Sequence, residues 1–304
     1  MPNCQPLLKT DLPLPVFIKG KVRDTYDLGD YLLIVVTDRI SAFDVVLPCG
    51  ICGKGEVLNR ISAFWFNYTR SIIQNHVIEL LEKPQDLDKY LADGVKLADY
   101  PAWLAGRSMV VKKVNRLSVE CIARGYISGS AWKEYKKGGT VCGINLPSGL
   151  QESEKLPQII FTPTTKGEGG DHDVNMNYSE VEGAVGKKTA KELRDTTITL
   201  YQKACEHALS KGFIIADTKF EFGLDQKGKL MLIDEALTPD SSRFWDLSTY
   251  RVGFPQDSYD KQPIRDYLET LDWNKQYPGP ALPDQVVEMA AKRYRQAYER
   301  LAQS

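Results

Sequence analysis

The sequence predicts an α+β protein of two lobes, with mainly antiparallel sheets flanked by helices. Three observations carry this reading. Strand-like runs come in adjacent pairs around short turns, Val22–Leu28 with Tyr31–Thr37 and Phe213–Leu224 with Lys229–Ala236. Helical periodicities are inserted between such pairs and do not alternate regularly with single strands. The chain has 304 residues, long enough for two hydrophobic cores.

Taken in order, the first pair flanks Gly29-Asp30, a tight-turn signal. Leu32-Leu33-Ile34-Val35-Val36 lacks polar alternation, which predicts a strand covered on both faces. From Glu56 to Gln74, Val57, Ile61, Phe64, Trp65, Tyr68 and Ile72 recur at helical spacing and give one face to a sheet. Pro84 to Pro101 reads as short helix and loop. Met109–Val114 and Ser118–Arg124 read as strands around an Asn115-Arg116 turn. Ser128–Lys137 reads as a helix ended by Gly138-Gly139. Thr162–Ser179 is a long polar stretch of the kind that is mobile or functional. Thr189–Lys211 is helical, with Gly212 at its left-handed stop. Two C-terminal helices follow, Ile264–Leu271 and Asp284–Gln303. The expected division is 1–110 for an N-terminal antiparallel-sheet lobe and 111–304 for a larger α+β lobe that includes these helices.

Composition narrows the function. With 39 basic and 40 acidic residues the formal charge is −1, which argues against attraction of the whole surface to nucleic acid or anionic lipid. No apolar run approaches the roughly 20 residues that cross a bilayer, and Met1 to Thr10 lacks the pattern of a secretory signal. Six cysteines in a chain this long do not make a disulfide framework, so reduced thiols in the cytoplasm are expected. Cys49 and Cys52 have C-x-x-C spacing, but no second pair or nearby histidine completes a zinc site. They read as structural residues.

The second hairpin carries the most chemistry. Alternation puts Asp217, Lys219 and Glu221 on one strand face. A turn of two or four residues would set position 219 opposite 234 and 221 opposite 232, so that Asp234 joins the same face diagonal to Glu221. Acids this close repel unless a cation lies between them, and Mg²⁺ on phosphate oxygens typically takes one or two protein carboxylates. The competing reading is a surface hairpin of alternating charge. Ser128-Gly129-Ser130 after Arg124 ends a strand just before a helix, where backbone N–H groups suit a monophosphate; Ser128 or Ser130 as a plain helix cap is the alternative. Pro239-Asp240-Ser241-Ser242-Arg243 suits anion capture or is an ordinary turn. Lys21 and Arg23, behind Gly20, share a strand face that could clamp nucleotide phosphates. His172 between Asp171 and Asp173 is a ligand, a base or a solvated loop histidine. No Walker A loop, dinucleotide fingerprint or kinase catalytic loop is present.

In this order along the chain, Gly20–Asp24, Thr37–Asp44, Glu120–Trp132, Asp171–Asp173, Asp217–Gly223 and Pro239–Trp245 resemble the SAICAR synthase (phosphoribosylaminoimidazole-succinocarboxamide synthase) family, in its stand-alone form. The resemblance spans nearly the whole chain. It implies a SAICAR synthase-like fold with ATP in the interlobe cleft. It also implies an ATP-dependent ligase joining carboxyaminoimidazole ribonucleotide to L-aspartate through an acyl phosphate, in purine biosynthesis. On this basis Glu221 and Asp234 hold Mg²⁺, and Lys21 and Arg23 bind ATP. Arg124, Ser130 and Arg243 grip the ribonucleotide phosphate, Lys219 faces its carboxylate, and Asp240 binds the ribose or imidazole edge. His172 and Asp173 belong to a loop closing over aspartate, and Arg39 and Ser41 lie near the site. A small-molecule kinase and a non-catalytic nucleotide sensor are the alternatives. Nucleic-acid and membrane partners are not expected; no oligomeric state is read, a monomer being compatible with the sequence.

Overall fold

The computed structural model describes residues 5–92, 97–166 and 173–303. The first strands are β1 (Val16–Lys19), β2 (Arg23–Asp27) and β3 (Tyr31–Val36). The β2–β3 turn forms where Gly29 takes φ 90° and donates to Asp27 Oδ1 at 2.7 Å. A separate hairpin follows, β4 (Arg39–Ala42) and β5 (Val45–Gly50), then helix α1 (Lys54–Tyr68), β6 (Val77–Leu80) and β7 (Ser108–Lys112). Strands β1-β2-β3-β7-β6 form one antiparallel sheet in that order. Leu33, Val35, Val110, Tyr26, Leu81 and Leu104 form its core, each side chain of this size contributing about 1.5–3 kcal/mol on burial. Leu32 and Ile34 are only half-buried, so β3 is less evenly covered than its unbroken apolar run suggests.

The β4–β5 loop has two residues, Phe43 and Asp44, because Ala42 pairs with Val45. Both have positive φ, 52° and 64°, a conformation that usually selects Asn-Gly. The strain is offset from outside the hairpin. Lys275 lies 4.3 Å over the Phe43 ring, Trp273 meets its edge at 6.2 Å, and Tyr277 Oη accepts from Val46 N at 2.9 Å.

The second set of elements begins with β8 (Asn115–Tyr126), so Asn115 and Arg116 open a strand and do not form the expected turn. It continues through α2 (Gly129–Gly138), β9 (Thr140–Val141), β10 (Ile144–Asn145), β11 (Lys155–Phe161), β12 (Thr164–Thr165), α3 (Tyr178–Val185) and α4 (Lys187–Ser210). Then come β13 (Phe213–Leu224), β14 (Leu230–Ile233) and β15 (Ser242–Asp246), and finally α5 (Gln262–Glu269) and α6 (Asp284–Ala302). An antiparallel sheet runs β11-β8-β13-β14, with β12 also on β8 and β15 also on β13. Helix α4 buries Leu193, Leu200, Tyr201, Ala204 and Ala208 and packs against β13 and β8. With β13 buried along nearly its whole length, the surface-hairpin reading does not hold.

The chain divides into two units, Met1–Asn67 with His76–Lys113 and Asp260–Ser304, and Tyr68–Asn75 with Val114–Tyr259. The C-terminal helices therefore group with the N-terminal sheet, which differs from the expected 111–304 lobe. Sequence order alone does not show that Gly279 lies against Val45 and Leu47. The cysteines also differ from expectation: Cys52 is disulfide-bonded, whereas Cys49, Cys121, Cys142 and Cys205 are free. Spacing in sequence does not reveal which sulfurs approach in space. No helix among the described residues is long and apolar enough to cross a membrane.

Candidate active site

The site in the second unit follows from one antiparallel register. Strand β13 pairs with β8 so that Asp217 lies opposite Arg124, Lys219 opposite Ile122 and Glu221 opposite Glu120. Directly opposed residues share a face, and so do alternate residues on each strand. Arg124 and Glu120 thus join Asp217, Lys219 and Glu221 on one side of the sheet. The span from 217 to 221 is about 13 Å along the strand. A charge cluster stands at each end of it.

At one end are the acids. Glu120 and Glu221 are 3% and 5% exposed. Lys219 Nζ donates to Glu120 Oε1 at 2.5 Å and lies 3.8 Å from Glu221 Oε1. Lys166 Nζ reaches both oxygens of Glu221 at 2.5 Å, and Thr164 Oγ1 donates to Glu120 Oε2 at 3.3 Å. Burial, and then the charge of Asp234, push the Glu221 carboxyl above its ordinary value against the pull of Lys219 and Lys166. For Lys219, burial works against the ammonium, but Glu120 and Glu221 outweigh it and hold the group protonated.

Asp234 reaches this cluster by a different route from the expected one. The loop between β13 and β14 has five residues, 225–229, since Leu224 pairs with Leu230. Asp225 Oδ1 fixes it by accepting from Lys227 N and Lys229 N at 2.9 and 2.8 Å. An odd loop length moves the register by one, so Glu221 faces Ile233 and not position 232. Asp234 then lies just past β14 with φ 64°, and this left-handed turn keeps its charge close enough to act on Glu221 and Lys219.

At the other end is an arginine clamp. Asp217 Oδ2 accepts from Arg124 Nη1 and, at 2.5 Å, from Arg243 Nη1. Arg124 also donates to Thr162 Oγ1 at 2.9 Å and Ser130 Oγ at 3.4 Å. Burial pulls the guanidinium below its ordinary value and Asp217 opposes that. Two guanidiniums on one carboxylate leave a net positive site beside the first turn of α2, whose N–H groups suit an anion. Ser128 makes no side-chain cap, so the plain-cap reading of that serine does not hold. Gly129 has φ 57°, and a Cβ there would meet Arg243 Nη2 at 2.3 Å. Only glycine lets the guanidinium lie over the start of the helix. Asp240 is half-buried in the turn feeding β15, its N–H donating to Thr238 Oγ1 at 3.2 Å.

The remaining predicted residues belong to other segments of the chain. Asp173 is described beside Val174, which exchanges hydrogen bonds with Thr165; His172 lies outside the described residues. In the first unit Lys21 precedes β2 and ion-pairs with Asp44, so it does not share a strand face with Arg23. Arg39 is committed to bracing this loop. It holds Asp24 through two bonds of 2.7 and 3.1 Å and the carbonyls of Gly20, Lys21 and Leu8 at 2.9 to 3.0 Å. Ser41 lies in β4 opposite Val46. Reasoning from sequence missed Glu120 and Lys166 as partners of Glu221. Glu120 opens the Glu120–Trp132 segment, but only the pairing of β8 with β13 shows which acid it faces.

Glu221 and Asp234, the carboxylates expected to hold a divalent cation, lie close enough for the charge of Asp234 to act on Glu221. Burial and that charge raise Glu221, while Lys219 and Lys166 pull it down. Among the described residues no group of three or more His, Cys, Asp or Glu forms a metal cage. The donor set therefore fits a hard cation shared with phosphate oxygens, not an all-protein site.

Known proteins resemble this chain over nearly its whole length. A family model described as SAICAR synthetase matches residues 16–280. Phosphoribosylaminoimidazole-succinocarboxamide synthase of Thioalkalivibrio sulfidiphilus is 54% identical over 299 residues, 98% of each chain. The protein of the same name from Geobacter metallireducens is 53% identical over 298 residues, 97% of each chain. Among solved structures, SAICAR-synthase from Saccharomyces cerevisiae complexed with SAICAR aligns with a TM-score of 0.87 at 42% identity, covering 98% of each chain. On these matches and on the fold they share, the chain belongs to the SAICAR synthetase family.

Proposed function

We propose that the acids and lysines around Glu221, together with the clamp around Asp217, are the catalytic and substrate-binding groups of this chain. The reaction is the ATP-dependent condensation of carboxyaminoimidazole ribonucleotide with L-aspartate to SAICAR in purine biosynthesis. The observation that carries the site assignment is one β13 face bearing a lysine between acids at one end and two guanidiniums at the other.

The ribonucleotide binds with its phosphate on Arg124, Arg243, Ser130 and the first turn of α2. That anchor sets its imidazole carboxylate toward Lys219, whose ammonium neutralises and orients it. A carboxylate oxygen attacks the γ-phosphorus of ATP and ADP leaves. The amine of aspartate then attacks the acyl carbon, loses a proton and expels phosphate. Glu221 and Asp234 would hold Mg²⁺, which when bound offsets charge on the transferring phosphoryl group. Lys166, 24% exposed, balances Glu221 when no cation does. Lys21 and Arg23 are the proposed contacts to ATP phosphates, with Arg39 holding their loop in shape. Ser41 and Asp240 are assigned to the substrate surroundings. His172 and Asp173 are assigned to a segment over the aspartate site, excluding water that would hydrolyse the acyl phosphate. A cytoplasmic location is part of the proposal, supported by the biosynthetic activity.

The test is ADP release from Mg-ATP and carboxyaminoimidazole ribonucleotide, with and without L-aspartate, followed by mass detection of product. Release that needs both substrates and yields SAICAR is expected. Release indifferent to aspartate would point to a kinase.

A further inference from the structure

The rear of the arginine clamp has a support that its front does not explain. Between β13 and β15 the register slips: Ile215 pairs with Phe244 but Thr218 with Ser242. Ala216 and Asp217 together thus oppose the single residue Arg243, which makes a β-bulge. Bulges re-aim side chains, and this one turns Asp217 between Arg124 and Arg243. The cost falls on the backbone, since Ala216 has no register partner in β8 or β15 among the described residues.

One side chain meets that cost. The Tyr201 hydroxyl, from α4, lies 2.5 Å from Ile215 O and 3.2 Å from Ala216 O. Its ring is 2% exposed. A Cβ on Gly125 would come within 2.5 Å of the same hydroxyl, so the residue after Arg124 is a glycine where Tyr201 reaches under the strand. Tyr201 therefore touches the backbone immediately beside both Arg124 and Asp217, from the face opposite the charges. Burial pushes the phenol well above its ordinary value, so the proton that serves the two carbonyls is present at any working pH. Side-chain packing does not do this job alone. A cavity of about 630 Å³ runs past Gly125, Tyr201, Cys205 and Ile215 on this rear side.

We infer that Tyr201 is a positioning residue for the substrate phosphate: its hydroxyl holds the Ala216–Asp217 bulge and thereby aims the Arg124–Asp217–Arg243 clamp. The inference rests on the reading of that clamp as the ribonucleotide phosphate site.

The experiment compares wild type with Tyr201→Phe, which keeps the ring and removes the donor. Steady-state constants are measured with carboxyaminoimidazole ribonucleotide and with the riboside lacking the 5′-phosphate. In wild type the ribonucleotide is strongly preferred. In Y201F the KM for the ribonucleotide rises about five-fold, in line with one lost hydrogen bond, and the preference shrinks by the same factor. KM for ATP and L-aspartate stay unchanged. A Tyr201 with a merely structural role would lower thermal stability and leave the preference intact; that result overturns the inference while the clamp stands. A wild type indifferent to the 5′-phosphate overturns the clamp reading and this inference with it.

Discussion

Asp217 is the anion on which two cations depend, and its replacement gives a sharp test of the clamp. Asp217→Asn keeps the shape but removes the charge shared by Arg124, which is buried, and Arg243, which is 22% exposed. Breaking a buried ion pair costs about 3–5 kcal/mol because the remaining charge loses its counter-ion. Arg243 can turn to water and the new amide still accepts one hydrogen bond, so the low end applies, about 3 kcal/mol. For a unit of about 150 residues this lowers the Tm by about 6–12 °C. The removed charge also competes with phosphate for the same guanidiniums. Inorganic phosphate should therefore raise the Tm of Asp217→Asn more than that of wild type, since at a given concentration a ligand of the folded state stabilises more the tighter it binds. Differential scanning fluorimetry across a phosphate series measures both effects. A variant within about 2 °C of wild type, with the same phosphate response, would refute the claim that Asp217 is the shared anion of an anion site.

Glu221→Gln should leave the fold intact and reduce kcat by about 100-fold or more, as loss of a group acting on transition-state charge does; near-normal Mg²⁺-dependent turnover would remove Glu221 from the metal site. Because the folded-state pKa of Glu221 lies above its unfolded value of about 4.5, protonation favours the folded form. Stability of wild type relative to Glu221→Gln should therefore rise as pH falls through the raised pKa and level off below about 4.5. Parallel denaturation midpoints for the two proteins across that range would contradict the assignment. Gly129→Ala should destabilise by at least about 1 kcal/mol, given its positive φ, and should raise KM for the ribonucleotide because the methyl displaces Arg243; an unchanged KM would separate Arg243 from the phosphate.

Local periodicity made much of the fold legible. Strand β13 matches its expected span, and α4 and α6 match to within a few residues, because their apolar spacing and terminal signals agree. The antiparallel hairpins were legible for the same reason. The register of β13 with β14 was not, since it turns on whether the Asp225 loop counts four residues or five. Asp234 illustrates the limit. Its place in the acid cluster was expected on an incorrect pairing and arises instead from a single left-handed residue. Glu120 and Lys166 join Glu221 across 101 and 55 positions of chain, distances over which no local pattern carries information. The β4–β5 hairpin escaped notice because Phe43-Asp44 is a poor sequence for a two-residue turn and is held by Trp273, Lys275 and Tyr277 from far along the chain.

That same strap sets an order on biosynthesis. A ribosome delivers Val16 to Lys113 long before it delivers Trp273, and at about 5–20 residues per second the delay is on the order of 10–30 s. The second unit, nearly continuous in sequence, can close during that interval. The first unit cannot finish: the Phe43-Asp44 turn of its β4–β5 hairpin lacks the cation, the ring edge and the hydroxyl that steady it until the tail emerges. Nascent chains paused before residue 273 should thus expose a half-finished first unit to chaperones and proteases beside a finished second one.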